Sequence, residues 1–217
     1  MPRTAVFDLD GTLVDSAPDL HAALDRLMAR LSLPPFRRAE VVGMIGDGVK
    51  ALVERALAAR GRPFDAAALA SFTADYTAHA AVKTRPFPGI PEALAALRQA
   101  GWRLAICTNK PVAATEALLG ALGLAGCFAA IGGGDSFPVR KPDPAHLLAT
   151  LRAAGGEAGR AAMIGDHRND VLAARGAGLP CLFAAWGYGP PAMAEGAALV
   201  APAPAALPAL LERLVPG

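Results

Sequence analysis

Cysteine is scarce in this sequence: there are three among 217 residues, and no two of them form a CxxC pair. Cys107, Cys127 and Cys181 each lie within an apolar run. An odd number of widely spaced cysteines indicates neither a disulfide framework nor a zinc site. We therefore expect a protein of a reducing compartment, the cytoplasm.

An excess of charge is also absent, since 21 Lys and Arg residues stand against 19 Asp and Glu residues and the formal net charge is +2. Nucleic-acid binders draw their sequence-independent affinity from clustered basic residues, so this balance argues against a nucleic-acid partner. A hydrophobic share of 53% and a charged share of 18% exclude a disordered chain. The length predicts one domain of ordinary size or a core with a small insert.

The sequence also lacks an unbroken apolar run of the kind that crosses a membrane. Asp8 and Asp10 interrupt the first apolar stretch, so we expect no signal peptide. Glycines divide the uncharged stretch 117–134 into a helix end, a turn and a short strand. We expect no membrane partner.

The sequence does contain short apolar runs that alternate with helical patterns. Residues 15–83 show helical spacing alone. On either side, apolar runs separated by single helices predict a parallel sheet with helices on both faces. The runs are Ala5–Leu9, Arg103–Cys107, Ala129–Ile131, Ala161–Ile164 and Cys181–Ala184. We predict an α/β, Rossmann-like core of residues 1–14 and 84–217, with residues 15–83 inserted as an α-helical cap.

Four acids stand where predicted strands end: Asp8, Asp10, Asp166 and Asp170. In an open parallel sheet the carboxyl ends of the strands meet at one edge, where ligands bind. Carboxylates gathered there repel one another unless a cation compensates them. Mg²⁺ takes oxygen ligands and bridges carboxylates to phosphate, so we predict Mg²⁺ as the cofactor.

The same edge would hold groups suited to phosphate chemistry. The hydroxyl of Thr108 and the ammonium of Lys141 would bind phosphate oxygens. Asp8 is the candidate nucleophile, because an aspartate can attack phosphorus and divide a hard hydrolysis into two displacements through an aspartyl-phosphate. Asp10 would protonate the leaving alcohol and later accept a proton from the attacking water. Together these residues predict hydrolysis of a phosphate monoester.

These segments resemble the four motifs of the haloacid dehalogenase superfamily: DxDGT, a strand ending in Thr or Ser, Lys before Pro, and GDxxxD. The DxD form is similar to that of the phosphatases and phosphomutases, and the insert lies where a small helical cap does. The resemblance implies that Asp8 is both nucleophile and metal ligand. It implies that Asp10 also binds the metal through its backbone carbonyl, that Asp166 is a ligand, and that Asp170 supports the metal from behind.

Further segments carry a closer resemblance: residues 7–20 (FDLDGTLVDSAPDL), Ile45–Gly48, Thr108–Pro111, Gly133–Asp135, Arg140–Pro144 and Gly187–Gly189. They are similar to the phosphoglycolate phosphatase branch, which implies 2-phosphoglycolate as the substrate. The chain departs from that branch at His167, where Ser is common. A single imidazole among carboxylates favours a hydrogen-bonding role, since Mg²⁺ gains little from nitrogen ligands.

Several further residues are candidates for substrate binding. They are Gly11, Thr12 and Asn109 in the core and Gly46, Gly48, Lys50 and Arg55 in the cap. The loop at 46–48 is either an ordinary helix entry or mobile backbone that touches substrate. Lys50 and Arg55 are either solvated or supply the cation that a carboxylated substrate needs.

Other interpretations stay open at this point. Thr108 and Asn109 would also suit the cap of the helix that Pro111 begins, and Lys141 would suit a solvated surface position. The substrate could be another metabolite, such as a sugar phosphate, handled by a phosphatase or phosphomutase. A further alternative is a non-catalytic module that only accepts a phosphoryl group, but such a module would not need Asp10 as an acid/base residue. The expected partner is a small phosphorylated metabolite, and the sequence indicates no oligomeric state.

Overall fold

The computed structural model describes residues 2–217 and is built on a six-stranded, wholly parallel sheet. The strands are β1 Thr4–Phe7, β2 Val14–Asp15, β3 Arg85–Pro86, β4 Arg103–Cys107, β5 Ala130–Gly132, β6 Ala161–Gly165, β7 Cys181–Ala184 and β8 Leu199–Ala201. Their order in the main sheet is β5-β4-β1-β6-β7-β8, and β2 and β3 form a separate antiparallel pair. The parallel sheet predicted from the sequence is confirmed.

Helices cover both faces of this sheet. The helices are α1 Ala17–Arg30, α2 Arg38–Val42, α3 Val49–Ala59, α4 Ala66–His79, α5 Ile90–Gln99, α6 Val112–Ala121, α7 Pro144–Ala153, α8 Arg168–Ala177 and α9 Leu207–Leu214. Successive side chains of a strand point to opposite faces. Accordingly, Phe7 packs in one cluster with Ile90 of α5, and Val6 packs in another with Leu147 of α7 and Val171 of α8. This confirms the Rossmann-like α/β core.

Helices α1–α4, which we call the helical insert, share a core of their own. Its buried residues lie between positions 17 and 80 and include Leu24, Phe72 and Tyr76. The chain leaves the sheet through β2 and returns through β3, and these two strands pair with each other. Asp19 of α1 accepts hydrogen bonds from the backbone N–H of Thr84 at 2.8 Å and of Lys83 at 2.9 Å. The predicted domain limits at 15 and 83 stay a prediction.

Three short strands were not predicted. β8 has three residues at the sheet edge, and β2 and β3 have two each, so none is long enough to show a periodic pattern. β1 ends two residues earlier than predicted, although the N–H of Asp8 still donates to Ile164 O at 2.8 Å. None of the helices described between residues 2 and 217 combines the length and hydropathy needed to cross a membrane.

The register of the sheet brings the functional segments together. β1 lies between β4 and β6, and Phe7 is paired with Ile106 on one side and Ile164 on the other. Strands β1, β4 and β5 extend the sheet in one direction, and the chain then crosses back to place β6 on the other side of β1. The strand order reverses at this point, which is where ligands bind in such sheets. Residues that follow β1, β4 and β6 therefore meet at one edge.

Candidate active site

Three of the four predicted acids meet at this edge. Asp8 follows β1, Asp166 follows β6, and Asp170 lies in the first turn of α8. One carboxylate oxygen from each lies within 4.8 Å of the others, and all three residues are buried. The backbone brings them there, since each occupies a strand end or the helix that begins directly after one.

Lys141 is the cation of this cluster. Its Nζ lies 2.9 Å from Asp8 Oδ1 and 2.6 Å from Asp170 Oδ1, and its side chain is 2% exposed. Burial alone would lower the pKa of Lys141, but the attraction of Asp170 and Asp8 raises it above its usual value. The ammonium is therefore charged, and the alternative of a solvated surface lysine is excluded.

Asp166 is held in place by the loops around it. Its Oδ1 accepts a hydrogen bond from Thr12 Oγ1 at 2.8 Å, and its Oδ2 accepts one from the Tyr188 N–H at 2.8 Å. A Cβ at Gly11 would lie 2.3 Å from Asp166 Oδ2, so only glycine permits this approach. Gly11 and Thr12, predicted as substrate-binding residues, thus lie against a metal-site candidate.

The charge of this cluster suits a divalent cation. Burial, followed by the nearby charges of Asp8 and Asp170, raises the pKa of Asp166 to about 7. Three carboxylates and one ammonium leave negative charge in a buried place. Buried oxygen donors that repel one another form the donor set that a hard divalent ion prefers. The residues present therefore fit Mg²⁺.

The carboxylate of Asp10 pairs with a different lysine from the one that contacts Asp8 and Asp170. Its carboxylate oxygens lie 3.0 and 3.1 Å from Nζ of Lys110, and the same Nζ donates to the hydroxyl of Tyr76 at 2.6 Å. Tyr76 belongs to α4, so this contact joins the helical insert to the sheet edge. Neither Lys110 nor Tyr76 was predicted as a site residue.

A pocket lies between the sheet edge and the helical insert. It is lined by Asp8, Asp10, Thr108, Asn109 and Lys110 from the core and by Leu20, Ile45, Gly46, Gly48, Val49 and Leu52 from the insert. The wall supplied by the insert is therefore apolar, and the wall supplied by the core carries the polar groups. Six of the predicted site residues meet in this pocket.

Comparison with known proteins agrees with this geometry. A family model described as haloacid dehalogenase-like hydrolase matches residues 2–178. The chain belongs to this family. A phosphoglycolate phosphatase from Caulobacter vibrioides is 47% identical over 189 residues, covering 85% of this chain and 80% of that one. Another from Agrobacterium fabrum is 42% identical over 217 residues, covering 97% and 93%.

Solved structures of haloacid dehalogenase-like hydrolases have the same fold. A predicted phosphoglycolate phosphatase from Haemophilus somnus 129pt superposes with a TM-score of 0.87 at 28% identity, covering 96% of this chain and 97% of that one. CbbY from Rhodobacter sphaeroides, solved in complex with phosphate, gives a TM-score of 0.80 at 27% identity, covering 95% and 96%. The resemblance to the phosphoglycolate phosphatase branch is confirmed, and the chain is a phosphatase, a phosphoric monoester hydrolase.

In this hydrolase Thr108 and Asn109 do not cap α6. The first N–H of that helix, at Val112, donates instead to Asp135 Oδ1 at 2.8 Å. The amide of Asn109 donates to Lys141 O and to Gly46 O, both at 3.0 Å. Asn109 therefore links the loop that carries Lys141 to the loop of the helical insert.

The 46–48 loop is docked on the sheet edge. Asp47 Oδ1 accepts a hydrogen bond from the Asn169 amide at 2.6 Å. Gly46 has φ +122° and Gly48 has φ +86°, conformations that favour glycine. A Cβ at Gly46 would lie 2.6 Å from the ring of His167. Both glycines are thus needed for the insert to approach the core this closely.

Lys50 and Arg55 are not brought to the pocket. The side chain of Lys50 is 56% exposed, lies 3.7 Å from Glu54, and stands over the ring of Phe64. Arg55 pairs with Asp47 and donates to Met44 O at 3.0 Å. Contact of these two cations with substrate stays a prediction.

His167 forms the start of α8. Its Nδ1 accepts a hydrogen bond from the Asn169 N–H at 3.2 Å, while its own N–H donates to Asp170 Oδ2 at 3.0 Å. The imidazole therefore caps the helix and helps to fix Asp170. This is the hydrogen-bonding role that the sequence favoured.

Proposed function

We propose that this phosphatase hydrolyses 2-phosphoglycolate to glycolate and phosphate through an aspartyl-phosphate on Asp8. The observation that carries the proposal is the meeting of Asp8 with Asp166, Asp170 and Lys141 beside a pocket that Asp10 also lines. The names of relatives at 42–47% identity support the substrate.

Each residue has a role that its position supports. Asp8 attacks phosphorus, and Lys141, 2.9 Å from its Oδ1, holds the carboxylate in position and attracts a phosphate oxygen. Thr108 lines the pocket, where its hydroxyl would bind the same phosphate. Asp10 gives a proton to the leaving glycolate oxygen and then removes one from the water that hydrolyses the aspartyl-phosphate.

Asp8, Asp166 and the backbone carbonyl of Asp10 would hold Mg²⁺, with Asp170 as support behind them. When bound, Mg²⁺ neutralises charge on the phosphate and orients it toward the nucleophile. Thr12 and Tyr188 orient Asp166 for this task through the hydrogen bonds described above.

Residues 15–83 would act as a cap over the reaction. Leu20, Val49 and Leu52 of the helical insert line the pocket with apolar groups, which exclude water from the aspartyl-phosphate. Asn169 and Asn109 hold the 46–48 loop on the core in this closed arrangement. Opening and closing of the insert would admit substrate and release product.

The test is a phosphate-release assay on the purified protein across small phosphate esters, with Mg²⁺ and with EDTA. The panel contains 2-phosphoglycolate, a sugar phosphate, ethyl phosphate and an aryl phosphate. We expect the highest kcat/KM for 2-phosphoglycolate, loss of activity in EDTA, and no turnover by Asp8→Asn. A higher kcat/KM for the sugar phosphate would contradict the substrate, and unchanged activity in EDTA would contradict the cofactor.

A further inference from the structure

A buried lysine that the predicted mechanism does not use lines the pocket. Lys110 is 3% exposed, and its Nζ contacts Asp10 at 3.0 Å and the hydroxyl of Tyr76 at 2.6 Å. The contact with a carboxylate makes this a buried, charge-assisted pair. Burying a charge is unfavourable, and such residues often mark functional sites.

The Lys110 ammonium contacts three acceptor atoms that belong to two side chains. Lysine carries three N–H donors. Among residues 2–217, the side chains that accept from Lys110 are those of Asp10 and Tyr76. Two of its three contacts are to the oxygens of one carboxylate, so a second carboxylate in the pocket that Lys110 lines would take the place of one Asp10 oxygen.

Other cations are poorly placed for an anionic leaving group. Lys110 is the only Lys or Arg among the described residues that line the pocket. Lys141 already contacts two carboxylates, and Lys50 is paired on the outer surface of the insert. Arg140 is exposed and does not line the pocket, although its Nη1 would lie 3.6 Å from a Cβ at Gly48. Among the described residues, Lys110 is therefore the cation best placed to meet a carboxylate that enters this pocket.

The position of Lys110 beside Asp10 fits one class of ester. In the phosphate ester of a 2-hydroxy acid, a single carbon separates the ester oxygen from the carboxylate. The group that binds the carboxylate must therefore lie next to the acid that protonates the ester oxygen. Nζ of Lys110, 3.0 Å from Asp10, meets that requirement.

We propose that Lys110 determines substrate specificity by binding the carboxylate of the leaving group, so that the pocket favours phosphate esters of short 2-hydroxy acids. Tyr76, from the helical insert, holds the ammonium in position once the insert is closed. This inference rests on the proposed function, because it assigns the carboxylate contact of the same substrate. It assigns to a residue of the core the carboxylate contact that the sequence predicted for Lys50 and Arg55.

The test compares 2-phosphoglycolate with ethyl phosphate, whose leaving group has the same number of carbons and no charge. Lys110→Met should lower the ratio of the two kcat/KM values at least tenfold, and Lys110→Arg should lower it less. Lys50→Met is the matched control and should leave the ratio within twofold. Circular dichroism verifies folding, and Lys110→Gln, with the same expected result, replaces Lys110→Met where that variant does not fold.

The outcomes separate this inference from the proposed function. Equal loss on both esters in Lys110→Met, or a fall of the ratio in Lys50→Met instead, would overturn the role of Lys110 and leave the proposed function intact. Wild-type activity on 2-phospholactate but not on 2-phosphoglycolate would overturn the proposed substrate, and the Lys110 comparison is then made with that ester. Wild-type activity without preference for a carboxylate, or none on any ester, would overturn both.

Discussion

Replacing Lys141 with Met removes an ammonium that lies between two buried carboxylates. Its Nζ is 2.9 Å from Asp8 and 2.6 Å from Asp170, and the three side chains are 2%, 9% and 0% exposed. Breaking a buried pair by removing one partner destabilises a protein by about 3–5 kcal/mol, because the remaining charge is left without compensation. Lys141→Met should therefore unfold much more readily than the wild type in metal-free buffer.

The size of this effect should depend on pH in a defined direction. Without the ammonium, the folded state is destabilised least when one of the two carboxyls stays protonated. Its folded pKa then lies above its unfolded value near 4, so stability is lost as pH rises through that range. Holding such a carboxyl neutral costs about 4 kcal/mol at pH 7 and about 1.5 kcal/mol at pH 5.

Urea unfolding followed by circular dichroism, in EDTA at both pH values, measures this difference. Lys50→Met is the matched control, because Lys50 forms an exposed pair with Glu54 at 3.7 Å. Such pairs contribute about 0–1 kcal/mol, so the control should change little at either pH. A loss below about 1 kcal/mol for Lys141→Met at pH 7 would refute the charged, buried cluster.

Three further outcomes are expected. Burial and its acidic neighbours raise the pKa of Asp166 to about 7, so protons should compete with Mg²⁺ for this carboxylate. Mg²⁺ should therefore raise Tm more at pH 8 than at pH 5.5. An equal rise in Tm at the two pH values would contradict this. Asn169→Ala removes the 2.6 Å hydrogen bond to the insert loop and should lower kcat/KM about tenfold, measured beside a circular dichroism control; unchanged kcat/KM would mean that the loop docks without it. Gly46→Ala places a Cβ 2.6 Å from the ring of His167 and should lower kcat/KM, and adding His167→Ala should restore part of it; no recovery in the double variant would assign the loss to backbone strain at φ +122° alone.

The elements of the core could be predicted because their patterns are long enough to recognise. β4 and β7 have the bounds that the apolar runs indicate, and the others differ by one or two residues at their ends. β2, β3 and β8 have too few residues to show a period, and only pairing with a neighbouring segment makes them strands.

The acids of the site could be predicted because each follows a strand, and parallel strands bring their carboxyl ends together. Lys110 and Tyr76 could not, since their pairing joins residues 34 positions apart through the docking of the insert. Lys50 lies close to the 46–48 loop in sequence, yet α3 directs the Lys50 side chain outward to the ring of Phe64. Proximity in sequence was therefore a poor guide to which cation lines the pocket.

The most direct measurement is to trap the covalent intermediate on Asp8. Enzyme, Mg²⁺ and 2-phosphoglycolate are mixed and quenched in acid, the acyl-phosphate is reduced with borohydride, and peptides are analysed by mass spectrometry. An aspartyl-phosphate gives homoserine on reduction, so the account predicts that product at position 8 in the wild type and its absence in Asp8→Asn. Modification at another residue, or turnover by Asp8→Asn at the wild-type rate, would contradict the central claim.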